Sequence, residues 1–327
     1  LGDVIVPELC GACSGLQIHT AGTEQEIMLG WRLLMSAIIV PLLVALFWFD
    51  QFLGTSAWLL LVFCGLVAVR NSYELTDLMA VRNMRPSFWA TACLSLLVVF
   101  AAWIPRGLIA ELENATQLFT TLGWIGAALI FSFSVLLMME AIRFEQPGKS
   151  MESLGCNMVT VLYAGGLLAV TAQMRWFPNP QIGYFVIASV IICVKSGDTC
   201  AYTFGRLWGR RKMAPKLSPG KTWMGLVGAI VGSTAGGWMW LTFAGVLFAA
   251  KPVAAAFWIV LAYSASVGLV GLIGDLCESL IKRDVEKKDS AALMPGFGGL
   301  LDLLDSPLFA GPFALAWWYF LPPASLP

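Results

Sequence analysis

The sequence predicts an all-α integral membrane protein, a bundle of about nine transmembrane helices with a cytoplasm-facing active site. Three observations predict it. Hydrophobic residues fill 58% of the 327 positions, and mean hydropathy is +0.78, well beyond what a soluble core of this length requires. Apolar runs of near-spanning length alternate with polar connections from Arg32 onward. Charged residues, only 12% of the chain, collect in a few of those connections. Formal net charge is zero, so no polyanion such as nucleic acid is implied as a partner. Fourteen Trp suit anchoring at a lipid–water interface.

Residues 1–30 contain no Lys or Arg and no signal-type apolar run, so secretory cleavage is not expected. They read as a weakly ordered or surface-lying extramembrane segment, ahead of a membrane domain over 31–327. Cys10 and Cys13 with His19 make half of a zinc spacing, but no second half follows. The eight Cys are scattered, mostly in apolar runs where a thiol is a small hydrophobe.

The expected spans are 32–49, 54–69, 88–104, 121–142, 153–173, 183–200, 223–248, 254–274 and 307–322. Several fall short of about 20 residues, so their ends are expected to shift by a few positions. In the connection at 70–87, Leu75, Leu78 and Met79 fall at helical spacing and allow a short surface helix or an ordinary loop. The Asn114-Ala115-Thr116 triplet matches a glycosylation sequon but is too common to argue from.

Charge asymmetry orients the bundle. With nine spans, one side receives Arg32, Arg70, Arg82, Arg85, Arg143 and Lys149, the cluster Arg206–Lys221, and Lys282, Arg283, Lys287 and Lys288. That is sixteen cations, against Arg106, Arg175 and Lys251 on the other. The positive-inside rule places the cation-rich side in the cytoplasm.

Two connections on that side carry chemistry. The first, 195–222, holds Asp198 at the end of a span, where an unpaired acid is costly. Gly220-Lys221-Thr222 ends like a phosphate-binding P-loop, but Pro215 stands where its first glycine belongs. The stretch from Ser218 to Thr222 instead precedes a helix, whose N-terminal N–H groups favour phosphate near Lys221. Taken alone, the basic cluster reads equally as a loop touching anionic headgroups.

The second, Gly274–Asp305, holds eleven charged residues. Asp302 and Asp305 are spaced i, i+3 among leucines, so a helix would project both carboxylates from one face. Two carboxylates so close repel unless a cation lies between them, and hard oxygen ligands of this kind suit Mg²⁺. Lys282, Arg283 and Lys288 would neutralise phosphates, and Gly296, Gly298 and Gly299 allow close backbone approach. Carboxylates for a metal beside cations for phosphate point to phosphoryl or nucleotidyl transfer.

Here the residues meet a known pattern. Ser279-x2-Lys282-Arg283-x4-Lys288-Asp289, then Pro295-Gly296-x-Gly298-Gly299-x2-Asp302-x2-Asp305, resembles the signature of the phosphatidate cytidylyltransferase (CDP-diacylglycerol synthase) family. Asp198-x2-Ala201-Tyr202-x2-Gly205-Arg206 and Ser218-Pro219-x-Lys221-Thr222-Trp223 are similar to the same family, so motif support covers about 190–310. Phe297 stands where the pattern has His, Leu303 where it has Arg, and Ala291 where it has Gly or Ser.

The resemblance implies transfer of CMP from CTP to phosphatidic acid, giving CDP-diacylglycerol and pyrophosphate; a bacterial inner membrane is the default location, with endoplasmic reticulum or organelle membranes the alternatives. It implies Mg²⁺, with a second, monovalent cation also allowed. Asp275, Asp302 and Asp305 would hold the metal, and Asp198 would support it. Lys282, Arg283, Lys288 and Asp289 complete the catalytic set. Asp198, Ser218, Lys221, Thr222, Ser279, Gly296, Gly298 and Gly299 would bind substrate. A homodimer joined through its spans is compatible, though no motif demands it. Phe297 and Leu303 keep a CTP-dependent lipid kinase or another lipid-phosphate transferase open. A transporter would instead call for acids at mid-span and repeated halves.

Overall fold

The computed structural model describes residues 12–54, 56–81, 86–105, 114–144, 147–178, 180, 182–248, 257–291 and 298–324. Cys10, Arg82, Arg85, Arg106, Lys251, Gly296 and Phe297 lie outside them, as do the side chains of Cys13, His19 and Asn114.

Nine helices follow in order among the described residues: α1 (Ala12–Phe52), α2 (Trp58–Ala80), α3 (Phe88–Ala101), α4 (Asn114–Ile142), α5 (Ser150–Arg175), α6 (Gly183–Trp208), α7 (Trp223–Ala244), α8 (Phe257–Asp284) and α9 (Leu300–Phe320). Seven of them contain a stretch long and apolar enough to cross a membrane. The expected span 88–104 meets α3, only 14 residues long. The expected span 307–322 meets α9, where acids, prolines and interfacial aromatics hold hydropathy down. Neither belongs to the seven.

Three boundaries differ from the sequence reading, and each moves a functional residue. Helix α2 runs on to Ala80 through the expected connection at 70–87, and most of its added turns are buried. Helix α6 continues to Trp208, past Asp198. Helix α8 continues to Asp284 instead of stopping at 274. In α2 and α8 a buried stripe continues past the hydrophobic run and carries the helix onward, whereas the added turns of α6 are partly or fully exposed.

Between α6 and α7 the chain makes a short antiparallel hairpin, β1 (Lys212–Ala214) with β2 (Ser218–Thr222). No strand was expected there. Thr222 ends the hairpin and caps α7, its Oγ1 accepting the Gly225 N–H at 3.0 Å.

Helices α6 and α7 are in close contact because α7 presents glycines to α6. A Cβ at Gly228 would overlap the Cys200 carbonyl and Phe204, and one at Gly232 would overlap Cys200 and the Ser196 carbonyl. Small residues let membrane helices approach where no hydrophobic force separates protein from lipid. This contact sets Asp198 on α6 near Lys221.

The far ends of α2 and α6 are pinned by a buried polar cluster. Asp50 accepts the N–H groups of Leu59 and Leu60 at 3.1 and 3.2 Å, Arg175 Nε at 3.3 Å, and the Tyr184 hydroxyl. Arg175 also donates to the Pro180 carbonyl at 2.6 Å and the Gly54 carbonyl at 3.2 Å. A buried ion pair is tolerated when its remaining donors and acceptors are satisfied in this way.

Candidate active site

The site forms where the C-terminal ends of α2, α6 and α8 meet the N-terminal ends of α7 and α9. The extension of α8 puts Asp275, Glu278, Ser279 and Lys282 at i, i+3, i+4 and i+7, one face of a helix. Helix α9 packs along α8 and brings Asp305 to that face.

Asp275, Glu278 and Asp305 each offer a carboxylate oxygen, and these oxygens lie within 4.8 Å of one another. Glu278 and Asp305 are buried and Asp275 is half-buried. Three carboxylates so close repel one another unless cations intervene. Two lysines stand at the rim. Lys221 Nζ lies 2.8 Å from Asp275 and also donates to the Leu272 carbonyl at 3.3 Å. Lys282 pairs with Glu278 and reaches Asp302 Oδ1 at 2.8 Å. Lys195 also acts on Asp305, but it is shared with Asp198, and Lys282 is shared with Asp302, so the three carboxylates remain undercompensated. The donor set, all hard oxygen and mostly desolvated, fits a divalent cation of the magnesium kind.

Asp302 stands outside this trio. It occupies the first turn of α9, where its Oδ2 accepts the Gly299 N–H at 2.6 Å, Ser290 Oγ at 2.9 Å and the Ser290 N–H at 3.1 Å. Burial alone would raise its carboxyl, but the Lys282 ammonium and the Gly299 N–H hold it below the ordinary carboxylate range. The i, i+3 pair therefore divides: Asp305 belongs to the trio, and Asp302 holds the helix start and pairs with Lys282.

A second acid shares that helix start. Glu74, fully buried on α2, accepts the N–H groups of Leu300 and Leu301, both at 2.9 Å, and lies 3.0 Å from Ser290 Oγ. Arg70 pairs with it at 2.9 Å from the preceding turn. Gly298 adopts φ +88°. A Cβ on Gly299 would overlap Glu74 and Ser290, and one on Gly298 would overlap Asp302. The glycines are thus required by backbone approach to two carboxylates.

Beside Asp275 lies a cavity of about 610 Å³, bordered by α6, the hairpin, α7 and α8. Asp198, Ser218, Lys221, Thr222 and Asp275 line it, together with Tyr202, Arg206 and Lys212. Lys195 sits 3.7 Å from Asp198 on the same helix. Thr222 is buried and its hydroxyl is engaged in the α7 cap.

Several expected residues stand apart from the trio. Arg283 braces the hairpin, its Nε donating to the Leu217 carbonyl at 3.1 Å. Lys288 and Asp289 are exposed. Ser279 is buried one turn from Asp275, with Oγ 3.4 Å from its carboxylate. Leu303 is half-buried on α9.

The sequence reading omitted Glu278 and Glu74. The Asp275, Glu278, Lys282 periodicity was a signal for the first. Glu74 carried none, because the helix start and the serine that it meets lie more than 200 residues downstream.

Comparison with known proteins bears on this geometry. A family model described as "Cytidylyltransferase family" matches residues 31–321. A phosphatidate cytidylyltransferase of Haemophilus influenzae is 27% identical over 300 residues, covering 90% of this chain and 100% of that protein. One of Pseudomonas aeruginosa is 30% identical over 296 residues, 89% of this chain and 99% of that protein. One of Brucella suis is 31% identical over 233 residues, 71% of this chain and 74% of that protein. The match takes in every helix of the site and its acidic and basic residues alike: the chain belongs to the cytidylyltransferase family.

Proposed function

We propose that the chain transfers the cytidylyl group of CTP to phosphatidic acid, forming CDP-diacylglycerol and releasing pyrophosphate. The observation that carries this reading is the junction at Asp275. There a cavity lined by Lys221, Arg206 and Lys212 meets the acidic trio Asp275, Glu278 and Asp305. A nucleoside triphosphate needs both halves, cations along its phosphates and a metal-holding acid cluster beside the reacting phosphorus.

In this reading an oxygen of the phosphatidate monoester attacks the α-phosphorus of CTP. The bond from that phosphorus to the α,β-bridging oxygen breaks, and its electron pair leaves with pyrophosphate. The monoester is already anionic near neutral pH, so no strong base is needed, and positioning with charge neutralisation supplies most of the acceleration. Lys221, Arg206 and Lys212 hold the nucleotide phosphates. Asp198 borders the same cavity. Lys282, steered by Asp302, and the exposed Lys288 serve the lipid phosphate. Ser218 and Ser279 assist as polar groups. Asp275, Glu278 and Asp305 would hold Mg²⁺, which when bound neutralises phosphate charge.

The apolar helices keep the diacyl substrate in the bilayer while CTP arrives from water. Charge asymmetry supports a site at the cytoplasmic face, and the bacterial relatives support a bacterial inner membrane.

The test uses purified protein in detergent with phosphatidic acid, Mg²⁺ and CTP radiolabelled at the α or the γ position. A lipid-soluble product labelled only from the α position, and lost in Asp305→Asn, is expected. Label passing from the γ position to an added lipid alcohol would replace this reading with a lipid kinase.

A further inference from the structure

Helix α5 departs from regular geometry over Val161–Leu167, a seven-residue π-helical segment. Such segments are concentrated at functional sites because they re-aim side chains that a regular helix would direct elsewhere. This one is held firmly: a Cβ at Gly165 would overlap the Ser95 backbone of α3. Tyr163 lies on it and is only 6% exposed.

The Tyr163 hydroxyl is buried without any hydrogen-bond partner. The other two buried tyrosines among the described residues are satisfied. Tyr184 donates to Asp50, and the Tyr263 hydroxyl pairs with Ser189 at 2.7 Å and accepts from Trp318 at 3.3 Å. A buried hydroxyl left unpaired is costly, and a phenylalanine would fill the same space without that cost. The π segment packs directly against α9, the helix that carries Asp305, and the acids of the trio all act electrostatically on this hydroxyl. No hydrogen bond joins Tyr163 to any of the three acids.

We propose that the Tyr163 hydroxyl is a further ligand-contacting donor of this site, giving its hydrogen bond to an oxygen atom bound at the Asp275–Glu278–Asp305 trio. That oxygen belongs to a water or to a substrate phosphate. The inference rests on the reading of the trio as a cation and phosphate site. The π segment then has a purpose, since it supplies a neutral donor to a cluster whose charged donors are the two lysines at its rim.

The test compares wild type, Tyr163→Phe and Asp305→Asn, each as full-length protein in detergent. Mn²⁺ binding is followed by the electron paramagnetic resonance of the free ion, with and without CTP, and melting is recorded in EDTA. Tyr163→Phe is expected to melt at the wild-type temperature or above, because it removes an unpaired polar group. Its Mn²⁺ affinity is expected to fall about tenfold. A deficit present without CTP assigns the partner oxygen to water; one that appears only with CTP assigns it to phosphate.

Wild-type Mn²⁺ binding in Tyr163→Phe under both conditions, with binding lost in Asp305→Asn, overturns the role of Tyr163 and keeps the cation site. Equal, negligible binding by wild type and Asp305→Asn overturns the reading of the trio, and the proposal with it. A melting temperature lowered by several degrees in Tyr163→Phe shows that the hydroxyl serves the fold, which also overturns it.

Discussion

The backbone N–H of Leu301 donates to the carboxylate of Glu74 at 2.9 Å, across a sequence separation of 227 residues. With the neighbouring bond from Leu300, it makes a side chain of α2 the cap of α9. The cap matters because α9 delivers Asp305 to the acidic trio. Negative charge at a helix N-terminus is stabilising, and here the acid is wholly desolvated, so its loss leaves buried donors unpaired.

Glu74→Ala should therefore cost about 2 to 4 kcal/mol, the penalty for two buried N–H groups deprived of their acceptor. Thermal unfolding in detergent checks this. Glu74→Gln, which keeps an acceptor oxygen, should recover part of the loss.

Gly299→Ala should be worse than an ordinary surface change. Its Cβ overlaps Glu74 and Ser290, and overpacking of this kind costs about 1 to 3 kcal/mol. The expected outcome is a lower melting temperature accompanied by lost activity, since the same contact holds the start of α9. Unaltered melting and turnover would remove the glycines from the account of the site.

Asp305→Asn and Asp275→Asn should lower turnover by about 10² to 10³-fold while leaving the protein folded, because they remove charge from the trio without changing shape. Steady-state assays with circular dichroism on the same samples make the comparison. Asp305→Asn should also weaken divalent-cation activation more than Asp302→Asn does.

Asp302 contributes a pH dependence of its own. Its carboxyl lies below the ordinary range in the folded protein, so its stabilisation is fully present above the unfolded carboxylate value. It is lost as pH falls through the folded value, below about pH 4. Melting recorded from pH 6 down to pH 3 should drop more steeply in wild type than in Asp302→Asn. Parallel curves would mean that Lys282 and the Gly299 N–H do not hold the carboxylate.

Lys221→Ala should raise KM for CTP by about tenfold, with a smaller effect on KM for the lipid. It removes one charge-assisted contact to the nucleotide phosphates, as well as the ion pair to Asp275. Separate titrations of each substrate distinguish this from general damage.

Much of the site was legible in one dimension. The i, i+3 spacing of Asp302 and Asp305, the glycines before them, and the lysines beside them announced metal and phosphate chemistry. Helix ends were less legible, because a hydrophobic run marks where lipid stops and not where the helix does. Helix α8 continues ten residues past the expected end of its span, to Asp284, and that extension makes Glu278 part of the trio. The hairpin at Lys212–Thr222 was hidden for a similar reason. Its two strands are short and mostly exposed or half-buried, with no apolar alternation to announce their pairing.

The sequence by itself determined the membrane class, the apolar segments that make the helices, and the residue types of the chemistry. Each follows from composition or from spacing along one chain. Tertiary structure decided which carboxylates meet. Asp275, Glu278 and Asp305 converge because α8 and α9 pack face to face, whereas Asp302 is drawn off to cap α9 beside Glu74. The physical reason is that a carboxylate's role depends on which donors surround it, and in this protein those donors come from helices far apart in the chain.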